Sequence, residues 1–137
     1  MRKRTKAREY ALKVLYQIDI IKDSHENLLE KFWQTEPETE ESVKSFAEQL
    51  VRGVGANIKE IDDTISKYAE NWHISRMAVI DRNILRIAAF EILYVNDIPP
   101  KVSINEAVDI AKKYGDTDSG KFVNGILDKI GKMKDKQ

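Results

Sequence analysis

Six cations fall within the first thirteen residues: Arg2, Lys3, Arg4, Lys6, Arg8 and Lys13, opposed there only by Glu9. Lysine and arginine at this density offer no nucleophile at neutral pH, but they hold anions, and such a run fits the phosphates of a nucleic acid. A solvated, frayed terminus has the same composition, so charge alone leaves both readings open. The run is a local device, because the chain carries 23 basic and 23 acidic residues and a net charge of zero. Glu36, Glu38, Glu40, Glu41 and Glu48 place the compensating charge in the middle of the sequence.

A second candidate lies late in the chain, in DTDSGKFVNG at residues 116 to 125. Asp118 or Ser119 is expected to cap a helix whose free N–H groups could receive an anion, with Lys121 adding charge. Phe122 falls about 80° from the centre of the apolar stripe that follows, at 3.6 residues per turn, so a base could stack on it. The alternative is that Phe122 completes the core, with Asn124 and Gly125 only permitting close helix packing.

Catalytic groups do not converge. His25 and His73 stand far apart and outside any metal-binding spacing, so no metal site is expected. Asp62 and Asp63 are adjacent, which puts them on different helix faces and makes them solvent charges rather than an acid and base pair. LVRGVGAN has two glycines but neither the Lys-Ser or Lys-Thr nor the preceding strand of a phosphate loop. With no cysteine there is no thiolate nucleophile or disulfide framework, which suits a reducing compartment. Binding is therefore expected rather than catalysis, with no cofactor.

The elements that must position these residues are helices. Charged residues form 34% of the chain, against only six glycines and three prolines, which favours long, surface-charged helices and an all-α fold. Ala7, Tyr10, Ala11, Val14, Leu15 and Ile18 predict a helix over 4–21, with Arg4, Arg8, Leu12 and Tyr16 along its flank. A second helix fits 25–34, capped by Ser24, with Leu28, Leu29, Phe32 and Trp33 inward. From residue 41, apolar spacing continues to Tyr68, as one helix or as two joined near Gly53 and Gly55. The phase is lost around Trp72, His73 and Ile74, then resumes through Ile80 to Leu93. Pro99 and Pro100 are expected to separate that helix from one opened by a Ser103/Glu106 capping box and stopped at Gly115, with Lys112 and Lys113 in its last turn. A final helix buries Val123, Ile126, Leu127 and Ile130. The expected arrangement is two small bundles, over about 1–72 and 73–131, with a polar tail at 132–137. No apolar stretch is long enough to span a bilayer and no signal-peptide core follows the basic run, so a cytoplasmic protein is expected.

Four segments together resemble the NusB family of bacterial transcription antitermination factors. They are Lys6-Ala7-Arg8-Glu9 with Leu15-Tyr16, DRNILRIAAFEIL at 81–93, IPPKVSINEAVDIAKKYG at 98–115 and DSGKFVNGILDKI at 118–130. The resemblance covers essentially the whole chain and is weakest at 22–45 and in the tail. It implies a helical, non-catalytic protein that binds single-stranded boxA RNA of nascent ribosomal transcripts with the ribosomal protein NusE, in an antitermination complex on RNA polymerase. Carried over by position, Arg2, Lys3, Arg4, Lys6 and Arg8 would hold phosphates. Asp118, Ser119, Lys121 and Phe122 would lie beside the bases, and Tyr16 and Asp81 would face NusE. Two departures stand out: Thr5 interrupts the basic run where many members have arginine, and Gly120 offers no side chain to a base. A related helical domain precedes a methyltransferase in RNA-modifying enzymes, but the glycine-rich βαβ segment and nucleophilic cysteine of such enzymes are missing. A homodimeric interaction module, with the basic helix against the acidic stretch 36–48, is the alternative.

Overall fold

The computed structural model describes residues 2–70 and 72–136. Seven α-helices follow one another: α1 (Lys3–Ile21), α2 (His25–Thr35), α3 (Glu41–Ala56), α4 (Ile58–Tyr68), α5 (Val79–Tyr94), α6 (Pro100–Tyr114) and α7 (Ser119–Asp135). A 3₁₀ turn at Ile74–Arg76 links α4 to α5, and no strand occurs among the described residues.

The predicted stripes form the core. Ala7, Tyr10, Ala11, Val14 and Leu15 of α1 are buried, as are Leu28, Leu29 and Phe32 of α2. Each large apolar side chain removed from water contributes roughly 1.5–3 kcal/mol. Ser24 opens α2 as expected, its hydroxyl accepting the Asn27 N–H at 3.1 Å. The α3/α4 joint falls at Asn57, whose amide donates to the Gly53 carbonyl at 2.8 Å. Gly53 itself stays helical, and its need for a bare Cα is steric: a Cβ there would lie 2.1 Å from Cζ of Phe90.

At α6 the structure overturns the capping-box expectation. The helix starts at Pro100, with Pro99 as N-cap and a proline in the first turn, where its missing N–H leaves no donor unpaired. Ser103 and Glu106 consequently lie inside the helix and bond to other elements. Gly115 does stop α6, with its N–H on the Ala111 carbonyl at 2.9 Å. The last helix, α7, runs past the expected core positions to Asp135, leaving Gln137 outside the described residues.

Helix α5 is the hub. It packs on α1, α3, α4, α6 and α7, and the buried apolar residues of all seven helices form one continuous cluster. Helix α4 packs more extensively on α5 and α7 than on α3. Helices α6 and α7 run antiparallel, with Gly120 against Val108 and Lys112, and Gly131 against Pro100 and Ile104. The start of α6 thus meets α1 and the end of α7, while its last turn leads into the 116–122 segment.

Candidate nucleic-acid interface

The basic run divides into one buried member and several exposed ones. Arg8 is only 3% exposed. Its Nε and Nη2 donate to the two Glu91 carboxylate oxygens at 2.8 and 2.7 Å, and its Nη1 donates to Glu106 Oε1 at 2.8 Å. The Ser103 hydroxyl donates to Glu91 at 2.8 Å, and the Thr5 hydroxyl donates to Glu106. Burial alone would lower the Arg8 pKa, but the bonds and charges of Glu91 and Glu106 outweigh it and raise the value. The expectation that Arg8 holds phosphate is therefore corrected: all three of its nitrogens are engaged inside a buried clamp joining α1, α5 and α6. Thr5, read as a gap in the basic run, belongs to the same clamp. Glu9 is withdrawn as well, accepting from Lys113 at 2.9 Å and from the Tyr114 phenol.

Arg2, Lys3, Arg4, Lys6 and Lys13 remain on the surface. Lys3 pairs with Glu40 at 2.9 Å, while Arg2 is 3.6 Å from Glu106 and Arg4 is 4.0 Å from Asp97. The Arg4 guanidinium lies over the Phe46 ring at 4.5 Å, and Lys6 and Lys13 lie over Tyr10 at 5.6 and 5.9 Å. Exposed pairs of this kind contribute only about 0–1 kcal/mol each and exchange readily for phosphate. Arg2, Lys3 and Arg4 border a groove of about 410 Å³ between the starts of α1 and α6, floored by Ile98, Pro99 and Val102.

The second candidate segment is built by Asp116. Its carboxylate accepts the Asp118 N–H at 2.9 Å, and the Ser119 hydroxyl accepts the Asp116 N–H at 3.0 Å. Neither Asp118 nor Ser119 caps α7 through its side chain, which corrects that expectation. Ser119 is 1% exposed and serves the turn, so it too leaves the set of direct contacts. Gly120 is buried beside Lys112, whereas Asp118 and Lys121 are exposed. Phe122 is half-buried: it packs against the core and also meets Trp72 edge-on, with ring centroids 5.8 Å apart at 78°.

Trp72 was not predicted as a site residue, yet it is 52% exposed and forms one wall of a groove of about 260 Å³ with Phe122, Ala78, Asp81 and Asp118. The only sequence signal was a tryptophan where the helical phase breaks. Asp81 also departs from expectation. Instead of presenting an open carboxylate to a partner it is 8% exposed and lines this groove, with Oδ1 lacking any hydrogen-bond partner. Burial pushes its carboxyl above the ordinary range, the Asp116 charge adds to this, and the Ser119 hydroxyl offsets part of it. Tyr16 is 40% exposed on α1, and Ile20, one turn on, extends its apolar surface.

A separate polar network fixes α1 to α4 and α5. Asp19 accepts from Arg82 and Asn83 at 2.9 Å and from Arg86 at 3.0 Å, and Arg86 also grips Asp62 at 2.9 and 3.0 Å. Asp62 is thus a structural partner rather than a solvent charge, while Asp63 pairs with Lys59 on the surface. His25 fills the space above Gly55, where a Cβ would lie 2.6 Å from its Nε2. Among the described residues no group of three or more His, Cys, Asp or Glu is placed to hold a metal ion, and no helix is long and apolar enough to cross a membrane.

The basic groove and the aromatic groove do not merge. They lie toward opposite ends of α6, whose 15 residues span roughly 22 Å at 1.5 Å each. A ligand engaging both must be extended.

Residues 5–132 match the model of the NusB family. The chain is 50% identical to a transcription antitermination protein NusB from Anaeromyxobacter sp. (strain Fw109-5), over 93% of this chain and 89% of that one. Its fold is similar to that of T. maritima NusB, with a TM-score of 0.88 and 39% identity over 100% and 99% of the two chains. It is equally similar to a chain in a crystal structure of the antitermination factors NusB and NusE in complex with dsRNA, with a TM-score of 0.88 and 32% identity over 97% and 98%.

Proposed function

The chain belongs to the NusB family, and on that premise we propose that it is a transcription antitermination factor that binds boxA-type RNA together with NusE. It acts in the cytoplasm, on nascent ribosomal RNA and within the RNA polymerase antitermination complex. The role is one of binding and carries no chemical step. Arg2, Lys3, Arg4 and Lys6 hold phosphates, Phe122 lies beside the bases with Lys121 and Asp118 at its edge, and Tyr16 forms part of the NusE contact. Asp81 is assigned to the same contact by its position in the family motif.

The observation that carries this reading is the placement of exposed cations and an exposed aromatic groove toward the two ends of one helix. Affinity from the cations is mainly counterion release, so log K falls with log[salt] by about 0.7 per phosphate contacted on a single strand. Sequence preference comes from the aromatic groove and from surface completed by NusE. Fluorescence anisotropy with a labelled boxA-type strand, its scrambled control and a duplex form, at two salt concentrations and with or without NusE, tests this. Preference for boxA that sharpens with NusE is the expected result. Equal, salt-sensitive binding to every RNA would reduce the protein to a nonspecific basic surface, and no binding would overturn the RNA reading.

A further inference from the structure

We propose that Glu106 is a positioning residue for RNA binding: by holding Thr5 it keeps the first turn of α1 helical, so that Arg2, Lys3, Arg4 and Lys6 meet phosphates from a fixed frame. The inference rests on the RNA-binding reading above and goes beyond it by giving a part in that binding to two residues that carry no positive charge.

The start of a helix is a poor place for a basic run. Its unpaired N–H groups form the positive end of the macrodipole, which favours carboxylates and disfavours lysine and arginine. Helix α1 has no acidic residue in its first turn, and its N-cap, Arg2, makes no side-chain capping bond. Lys3 and Lys6, one turn apart, add like-charge repulsion. Left to itself, this turn would fray.

The missing carboxylate comes from α6. Glu106 is 7% exposed and lines the groove between the starts of α1 and α6. Its Oε1 accepts from the Thr5 hydroxyl and from Arg8 Nη1, the latter at 2.8 Å, and its Oε2 is 3.6 Å from Arg2 Nη2. Arg2, Thr5 and Arg8 are spaced by three, so a single carboxylate ties one side of the first two turns to the body of the protein. Arg8 faces both Glu91 and Glu106, and the negative charge in excess of it therefore lies beside the positive end of α1.

The other contacts of this turn cannot serve in its place. The Lys3 pair with Glu40, the approach of Arg2 to Glu106 and the seat of Arg4 over Phe46 all use cations that phosphate will claim. Thr5 is uncharged, so its bond to Glu106 persists in the complex. With the turn already ordered, RNA is spared the cost of ordering it.

The test compares the full chain with Thr5→Val, which keeps the shape and removes the hydroxyl, and with Thr5→Ser, which restores it. Binding of a boxA-type strand and of its scrambled control is read by anisotropy over a range of salt. Order in the turn is read by amide hydrogen exchange at Lys6, whose N–H bonds the Arg2 carbonyl at 3.1 Å. In Thr5→Val the Lys6 amide should exchange faster, and both strands should bind about threefold to tenfold more weakly, the equivalent of one hydrogen bond. The salt slope should stay as in the wild type, because every cation is still present, whereas loss of a phosphate-holding cation lowers it by about 0.7. Thr5→Ser should return affinity and exchange toward wild type. Unchanged affinity in Thr5→Val, even with a lower melting temperature, would make the bond merely structural and overturn the proposal while leaving RNA binding intact. Weaker binding without faster exchange at Lys6 would overturn it too, by placing the effect outside the turn. Failure of the wild type to bind either strand would overturn both this proposal and the reading it rests on.

Discussion

Two carboxylate clusters in this molecule use similar ingredients to opposite ends. Glu91 and Glu106 are buried between α1, α5 and α6, and Arg8, Ser103 and Thr5 bond to them. Asp81, Asp116 and Asp118 line a groove at the start of α7, where no cation joins them and one buried oxygen has no partner. The first cluster is committed to helix packing, its charges paired and buried between three helices. The second lines an open groove with an aromatic wall, and its buried Asp81 carboxylate is met by the Ser119 hydroxyl rather than by a cation. A charged residue in a recognition motif therefore has to be judged by what already satisfies it.

The largest expected break of this contrast is Arg8→Ala. It leaves two buried glutamates without their cation, and removing one partner of a buried pair costs about 3–5 kcal/mol, visible as a lower midpoint in urea or thermal melting. Next is the Asp19 network. Burial would raise the Asp19 pKa, but hydrogen bonds from Asn83 and Arg82 and the charges of Arg86 and Arg82 hold it below the ordinary carboxyl range. Its contribution is thus present above the unfolded carboxyl value and lost as pH falls through the lower folded value. Asp19→Asn should remove about 1–3 kcal/mol at pH 7 and flatten that acid limb of a stability profile. Asp81 has the opposite sign. Its raised folded pKa means that a penalty is present above that value and fades as pH falls through it. Asp81→Asn should accordingly be neutral or stabilising by up to about 1 kcal/mol at pH 7, with a smaller difference at lower pH in the same denaturation series.

The smallest effects concern surface charge. Arg4→Ala should leave melting within about 0.5 kcal/mol of wild type, while the salt slope of RNA binding falls by about 0.7 if Arg4 holds one phosphate. Asp118→Asn removes an exposed negative charge beside the aromatic groove. Two unit charges 4 Å apart in water interact by about 1 kcal/mol, so a severalfold tighter RNA complex with unchanged stability is expected. A drop in melting temperature with Asp118→Ala would instead show that this side chain does cap α7.

The helices and most of the core were readable in the sequence, because Val43, Phe46, Leu50 and Val54, and likewise Val123, Ile126, Leu127 and Ile130, repeat at a period that only a helix brings to one face. The errors concern side chains with distant partners. Arg8 looked like any other member of the basic run, and the glutamates that bury it lie 83 and 98 positions away. Ser103 and Glu106 fit a local capping pattern, but Pro100 starts the helix one turn earlier and frees both for that long-range network. Trp72 is not legible as a site residue because its neighbour Phe122 is brought to it by tertiary packing, while the sequence around it shows only a broken period.

The Arg8 clamp also bears on the order in which the chain can settle as it is made. Helix bundles usually fold quickly because their contacts are local, but the second glutamate that grips Arg8 is Glu106, 98 residues downstream. At a synthesis rate of about 5–20 residues per second, helix α1 waits on the order of 5–20 s before its partners on α5 and α6 have both emerged. Through that interval α1 has α2 and α3 to pack on, but Arg8 lacks its carboxylates, and the clamp closes only when nearly all of the chain has left the ribosome.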